Sequence, residues 1–600
     1  METLHNIVFP HLNLPQEESL YVRLEGAAHC DLTRQRVLFE KGGELTTDTF
    51  YGGLTVSLWR RTCPVKRLSL SLRGSGRFIV GLGLRRVGHA CRWLDQRVVD
   101  LEEGAPVSMP VASWGSLSDG LLFLHVRALS DGFVSEGSFQ TDDPHAREVR
   151  LGIVVTHFNR PSYVLPAIDR IAREVIAAPQ ARGCLRLLVV DNSCSLPPID
   201  RPGVAILRNV NFGGAGGFAR GLLELDDDGR STHCLFMDDD ASCEAESILR
   251  TLAMLRYAKS PKLAVAGALV NEAEPWQLLE KGARFDGKCQ ALHAGRDVRA
   301  VDQVLWAERE RMAPDYGGWW FFAFPLVGLT HYPFPFFVRG DDVFFSLFNR
   351  FEIATANGIA CLAEPFHVKH GPLTAYLDAR YHLVHLVLRP QGRVRALRRL
   401  FTNHFLKPLY GYHYASARAF VLALRHVAEG PRFFRDNLDL AEVRALIGSW
   451  LPAEKMQPLQ PPPLRVRTPR GKREYPLRRV WRALTLGGFL LPRPLLRNRV
   501  LVHDKAFYGK AQDVFRFRAV LYEHWPTNTG YLAVRDTRQF FRELRECVAA
   551  LRLFVPRMKR LHEDYRSGVE DLASRDFWRA LYGKTGPGET ERSEERRLSA

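Results

Sequence analysis

The sequence predicts an α/β domain flanked by an antiparallel β-sandwich on one side and a basic, mainly helical region on the other. Three observations carry this. From Val149 onward apolar strand runs alternate with helical stretches, which indicates a parallel sheet. Before that point short strands follow one another with turn residues between them. Beyond about residue 390 the apolar spacing becomes helical and arginine-rich. We therefore divide the chain into 1–148, 149–390 and 391–585, with a polar tail over 586–600 too poor in apolar residues to fold. At 600 residues the chain exceeds what one hydrophobic core organises.

In the first region Leu68-Ser69-Leu70-Ser71-Leu72 alternates with period two, and Arg77-Phe78-Ile79-Val80-Gly81-Leu82 reads as a second strand after the break at Gly74 and Gly76. Val98 to Leu101 and Gly120 to Val126 continue the pattern. No catalytic constellation stands in this region, so its expected role is binding or assembly. In the second region the strands are Val149 to Thr156, Leu185 to Asp191, Val204 to Leu207 and His233 to Met237. Helices are expected after Pro161 and over Gly216 to Leu225. Each polar cluster falls just after a strand, where open α/β sheets place ligands. In the third region helices are expected over Arg393 to Arg399, Ala415 to Glu429, Ala511 to Leu521 and Arg535 to Glu563. A Pro-rich and basic linker from Pro461 to Arg473 interrupts them.

The chain carries 83 Lys and Arg against 66 Asp and Glu, a net +17 that attracts polyanions. Candidate partners are an anionic membrane surface, a nucleotide diphosphate or nucleic acid. Nucleic acid is disfavoured, because no zinc-finger or RNA-binding aromatic signature appears and the positive residues are spread over several segments. The start, Met1 to Asn6, lacks the basic and apolar parts of a signal peptide, and no stretch approaches the ~20 apolar residues of a membrane span. Ten scattered cysteines without metal-like spacing suit a reducing compartment. The expected location is the cytoplasm.

The polar clusters carry the chemistry. Leu235-Phe236-Met237 ends in Asp238-Asp239-Asp240, and carboxylates stacked at the end of a buried strand are costly unless a cation or ligand neutralises them. Hard divalent metals take such oxygens, so the triplet reads as a metal–diphosphate site; a solvated turn or helix cap is the competing reading. Arg339-Gly340-Asp341-Asp342 offers a place for a catalytic base, although an acid there also caps a helix. Thr156-His157-Phe158-Asn159-Arg160-Pro161 can hold a base by its main chain and a phosphate by Arg160, or can be an ordinary strand–helix turn. Asp191-Asn192-Ser193 ends the second strand. After the third, Asn209 to Gly217 is rich in glycines that let backbone approach a ligand. Gly214 to Ala219 loosely fits a dinucleotide fingerprint but does not follow the first strand, and a dehydrogenase has no need of the aspartate triplet. Trp319-Trp320 reads either as core or as a stacking platform for a sugar face.

In order, Phe158-Asn159-Arg160, Asp191-Asn192-Ser193, Asn211 to Phe218, Met237 to Asp240, Gly318-Trp319-Trp320, Asp341-Asp342 and Phe366-His367 resemble the inverting family 2 glycosyltransferases with a GT-A fold. The pattern is most similar to the polymerising galactofuranosyltransferases. Thr47 to Tyr51, Trp59 and Thr62 resemble that family's N-terminal β-sandwich. The resemblance implies that Asp238 and Asp240, with His367, hold Mn²⁺ or Mg²⁺. It further implies that Thr156, Phe158, Arg160, Asn192, Asn211, Asp238 and Asp239 contact a UDP-sugar donor. Asp342 would be the general base, Asp341 would orient the acceptor, and Trp319, Trp320 and Glu280 would line its site. The implied donor is UDP-galactofuranose and the implied acceptor a cell-surface or lipid-linked glycan. The basic helices would hold the enzyme peripherally at the inner face of the plasma membrane, possible homo-oligomers included. The chain departs from the family after His367: Tyr376 leads to Arg380-Tyr381, and Asp378 stands where an acceptor-side histidine is expected. The competing functions are transfer of rhamnose or another hexose on the same fold, and non-catalytic binding of glycans or polyanions.

Overall fold

The computed structural model describes residues 1–12, 17–309, 312–364, 371–389, 393–450, 454–459, 465–467, 474–504, 511–524 and 527–584. They pack as two compact units. One comprises Met1–Pro333, Asp342–Glu364 and the described residues from Trp578 on; the other comprises Phe334–Asp341 and the described residues within 365–577.

In the first unit, the strands before residue 142 pair antiparallel throughout, and the 17-residue strand Ser69–Arg85 is their spine. Its first half pairs with Gly132–Thr141 and Val107–Pro110, its second with Leu121–Ala128 and Arg92–Leu101. The glycines expected to separate two strands instead let one strand pass between two pairing environments. A Cβ at Gly74 would lie 2.1 Å from the Phe133 carbonyl oxygen, and Gly76 adopts φ +120° against Asp131. Only a residue without a side chain permits both.

The α/β expectation is met. Seven strands run in the order Val204–Arg208, Leu185–Asp191, Leu151–His157, His233–Asp238, Phe322–Pro325, Leu263–Ala266 and Glu352–Ala354. The first four are mutually parallel, and Phe322–Pro325 is antiparallel to both neighbours. Continuous Val, Leu and Ile runs fit strands covered on both faces. Register aligns Thr156 with Asp238 and His157 with Asp191, so three polar clusters emerge at one edge. Helix Ala245–Arg256 joins this sheet to the antiparallel strands. Buried Arg250 donates to Glu246 at 3.0 Å and to the carbonyls of Asn6 and Tyr51 at 2.7 Å, and Glu246 accepts from the Asn6 backbone at 2.7 Å. One hydrophobic core runs from Leu4 to Cys361 through both sets of strands.

In the second unit, helices Pro372–Leu388, Tyr414–Ala428 and Thr537–Leu572 dominate. The longest presents Phe540, Glu543, Cys547, Ala550, Phe554, Met558, Leu561, Tyr565, Val569 and Leu572 at three- or four-residue intervals, all buried. A five-stranded sheet also stands here, in the order Gln457–Pro458, Thr529–Val534, Ala519–His524, Val500–Asp504 and Arg465–Arg467. The helix expected over 511–521 is therefore confined to Ala511–Val514. Beyond it Val520-Leu521-Tyr522 pairs with Tyr531 to Ala533, and Tyr522 is buried with its hydroxyl donating to Gly411 O at 2.9 Å. Two β-prone runs that meet only in the fold override the local helical spacing. Most of the expected linker and the 586–600 tail lie outside the described residues. Among the described residues, no helix is long and apolar enough to cross a membrane.

Candidate active site

The site grows from the carboxyl edge of the parallel strands. Asp191 closes strand Leu185–Asp191, and its carboxylate accepts from the Ser193 hydroxyl at 2.8 Å and the Leu196 backbone at 2.8 Å. Ser193 Oγ in turn accepts from the Asn159 backbone at 3.0 Å, tying the first two loops together. Asn159 sits at φ +55°, a conformation asparagine tolerates better than most residues. Asn192 is buried, accepts from Asn209 Nδ2 at 2.8 Å and donates to Gly213 O at 3.3 Å. Asn211 accepts from the Gly213 backbone at 3.0 Å, at the start of helix Gly213–Asp227. A Cβ at Gly217 would press within 2.7 Å of Thr156 and 2.8 Å of Asn192. These glycines bring the helix down onto the first strand, which explains them without a dinucleotide fold.

The aspartate triplet does not stand alone. Arg160 Nη1 reaches Asp240 at 2.6 Å and Asp239 at 3.2 Å. Asp239 also accepts from the Phe158 backbone at 3.3 Å and lies 3.2 Å from His157 Nδ1. Burial raises the Asp239 pKa; the Arg160 charge opposes this and Asp240 adds to it. Burial works against the Arg160 cation, yet Asp240 and then Asp239 hold its pKa above the usual guanidinium value. Thr156, Phe158, Arg160, Asn192, Asn211 and Asp238 to Asp240 thus fall on neighbouring loops of one edge. The oxygen-only donors Asp238 and Asp240 suit a hard divalent cation. Among the described residues no three His, Cys, Asp or Glu side chains converge as a metal cage, and His367 lies outside the described residues.

A second cluster lies around Asp342 in the same unit. Glu280 ends strand Glu274–Glu280 and is buried, with Oε1 unpartnered. Burial, then the neighbouring charge of Asp342, pushes its carboxyl up to about 8. Burial, then Glu280, Cys289 and Asp342, also raises the Tyr316 phenol. Composition and spacing did not single out Tyr316; its place beside two acids is a tertiary contact. Asp341 opens helix Asp341–Asn349 and packs within the second unit, where its charge supports that of buried Arg380. The left-handed residues Phe337, Arg339 and Gly340 precede the helix, and a Cβ at Gly340 would strike the Tyr381 ring. Within that unit Arg339 pairs with Asp378 at 3.4 Å, and Arg380 donates to Phe336 O.

The two tryptophans are enclosed. Trp319 is 5% exposed and meets Phe218, Phe236 and Phe345 edge-to-face at 5.0, 4.9 and 5.7 Å. Trp320 is buried and donates from Nε1 to Gly267 O at 3.0 Å. Neither ring lies open as a stacking platform: aromatic neighbours surround Trp319, and Trp320 is 7% exposed. Trp319 Nε1 is buried without a hydrogen-bond partner.

No protein-family model matches the chain. It is 23% identical over 600 aligned positions to the galactofuranosyltransferase GlfT2 of Mycobacterium tuberculosis, an alignment covering 91% of each chain. To the galactofuranosyltransferase GlfT2 of Mycolicibacterium smegmatis it is 24% identical over 453 positions, 69% of each. Among solved structures, the mannosyltransferase PcManGT of Pyrobaculum calidifontis in complex with GDP-Man and Mn²⁺ is 16% identical and covers 52% of this chain and 86% of its own, at a TM-score of 0.27. An overlay that loose carries no argument here.

Proposed function

We propose that this glycosyltransferase moves galactofuranose from UDP-galactofuranose onto a glycan or lipid-linked glycan acceptor, with inversion at the anomeric carbon. The observation that carries the reading is the Asp238-Asp239-Asp240 triplet at the end of a buried central strand, already joined to Arg160. The similarity to two galactofuranosyltransferases supports the choice of sugar.

In this reading Thr156, Phe158, Asn192 and Asn211 hold the nucleoside, and Arg160 turns from Asp240 towards the diphosphate. Asp238 and Asp240 are the chain's ligands for Mn²⁺ or Mg²⁺, with His367 as the expected third. When bound, the cation supplies Lewis-acid neutralisation of charge on the departing UDP. Arg160 adds a second positive charge to the same oxygens. Asp342 accepts the proton of the attacking acceptor hydroxyl as it displaces UDP in a single step. Glu280, protonated near neutrality, donates a hydrogen bond to the acceptor. Asp341 orients the acceptor from the start of the same helix as the base. The +17 balance and the exposed arginines of helix Arg393–Leu400 support peripheral attachment to an anionic inner-membrane surface, in the cytoplasm.

The purified protein, offered a panel of UDP- and dTDP-sugars with a glycan acceptor, should release nucleotide fastest from UDP-galactofuranose. Release confined to a dTDP-sugar would move the assignment to rhamnose or a related hexose. Excess EDTA should stop turnover, and Asp240→Ala should abolish it while the thermal transition stays within a few degrees of the parent. Full turnover in EDTA would remove the metal from the mechanism.

A further inference from the structure

Helix Pro476–Leu484, in the second unit, has no buried residue. Its apolar side chains Leu477, Val480, Trp481 and Leu484 recur at i, i+3, i+4 and i+7, so they form one stripe. A stripe that regular ordinarily faces a core, but Leu477 is 86% and Leu484 74% exposed. Arg478, Arg479 and Arg482 occupy the other side, and Arg482 is committed to Glu474 at 2.8 Å.

Arg478 is not so committed. With Arg497 and Arg516 it lines a cavity of about 470 Å³ whose remaining walls are Leu477, Trp481 and Phe515. The three guanidinium groups come from separate segments, and ring and carbonyl contacts hold them in place. Arg478 lies over Phe515 at 5.8 Å and donates to Gln512 O at 2.8 Å. Arg516 lies over Trp481 at 5.1 Å and donates to Leu495 O at 2.8 Å. Arg497 lies over Phe517 at 5.0 Å. No acid lines the cavity; the carboxylate that feels the Arg478 charge, Glu474, is hydrogen-bonded to Arg482. Burial, then the charges of Arg516 and Arg478, lower the Arg497 pKa, so these cations repel one another at the cavity wall. Arg516 is moreover held at φ +74°, a strained conformation for a residue with a Cβ.

We propose that Arg478, Arg497 and Arg516 form a seat for the phosphate of an anionic phospholipid, with Leu477, Val480 and Leu484 entering the acyl layer beside it. Guanidinium forks match phosphate oxygens, and three of them without an acid call for an anion. The exposed stripe at the mouth decides between sources of that anion. Leu477 both lines the cavity and projects into solvent, which a site for free phosphate has no use for and an interfacial helix requires. The other basic helix differs, since Arg393–Leu400 buries Leu397 and Leu400 against its own unit. This seat deepens the membrane-surface reading above and rests on it.

Flotation with vesicles containing 30% phosphatidylglycerol (a chosen, roughly physiological anionic fraction) or phosphatidylcholine alone tests both ideas separately. The full chain should float with the anionic vesicles only. Each of Arg478→Gln, Arg497→Gln and Arg516→Gln should weaken binding about five-fold. Leu477→Gln and Leu484→Gln, at positions too exposed to disturb folding, should weaken it as well; circular dichroism checks that every variant is folded. If the arginine and leucine variants float like the parent while Arg395→Gln/Arg398→Gln/Arg399→Gln does not, the seat is wrong and membrane attachment stands. If the parent floats with neither vesicle and inorganic phosphate leaves its melting temperature unchanged, both fall. If inorganic phosphate raises the melting temperature of the parent but not of Arg497→Gln, and no vesicle is bound, the seat takes free phosphate and the lipid assignment is overturned.

Discussion

In the proposed mechanism Asp342 and Glu280 are two acids with opposite tasks, separated by environment. As the proposed base Asp342 is ionised, and after burial its charge is the second reason that Glu280 keeps its proton. Asp342→Asn preserves size and hydrogen bonding but not basicity, so transfer should fall about 10²–10⁴-fold while UDP affinity by calorimetry is unchanged. Parental turnover in that variant would pass the role of base to another group. The raised Glu280 pKa also makes a stability statement. The carboxyl titrates near 8 when folded and near 4.5 when unfolded, so the native state holds the extra proton and stability falls as pH rises between these values. Glu280→Gln removes the penalty: its melting temperature should exceed the parent's at pH 8 and match it at pH 4.5. An equal offset at both pH values would argue against a protonated Glu280.

Helix Arg575–Lys584 bears on the proposed donor loops although nothing in its composition says so. Trp578 Nε1 donates to Pro333 O at 2.8 Å and Tyr582 OH to Gly216 O at 2.7 Å, and Arg220 lies 5.4 Å over the Tyr582 ring. The Tyr582 hydroxyl therefore braces the glycine-rich turn that carries Asn209 and Asn211. Tyr582→Phe should cost about 0.5–1.5 kcal/mol of stability and raise KM for the donor more than it lowers kcat. Unchanged KM with the same loss of stability would leave Tyr582 a packing residue only. Helix Gly213–Asp227 and the aspartate-bearing strand were legible in the sequence, because apolar runs and glycines mark them locally. The strands around Tyr522 were not, since their pairing joins segments separated by loops and their short apolar runs fit a helix equally well.

Within the first unit the antiparallel strands and the α/β sheet share one core, and Arg250 is the polar pin through it. Arg250→Leu leaves Glu246 buried against Asn6 without its cation, which should cost about 3–5 kcal/mol in urea unfolding. Adding Glu246→Gln should recover part of that loss, because the uncompensated charge goes with it. A loss below about 1 kcal/mol in the single variant would show that water or relaxation satisfies the carboxylate.

Periodicity, glycine placement and carboxylate clustering alone sufficed for the parallel strands, the antiparallel character of the first region and the edge where Arg160, Asn192, Asn211 and Asp238 to Asp240 emerge. Those features are written in the spacing of neighbouring residues and in the cost of burying like charges. Spacing could not reveal that Arg160 pairs with Asp239 and Asp240, that Trp319 is enclosed by three phenylalanines, or that Tyr316 and Glu280 share the field of Asp342. Nor could it show that Arg478, Arg497 and Arg516 surround one cavity. Each is a contact between segments distant in the chain, and burial and charge act through distances that only the folded chain sets.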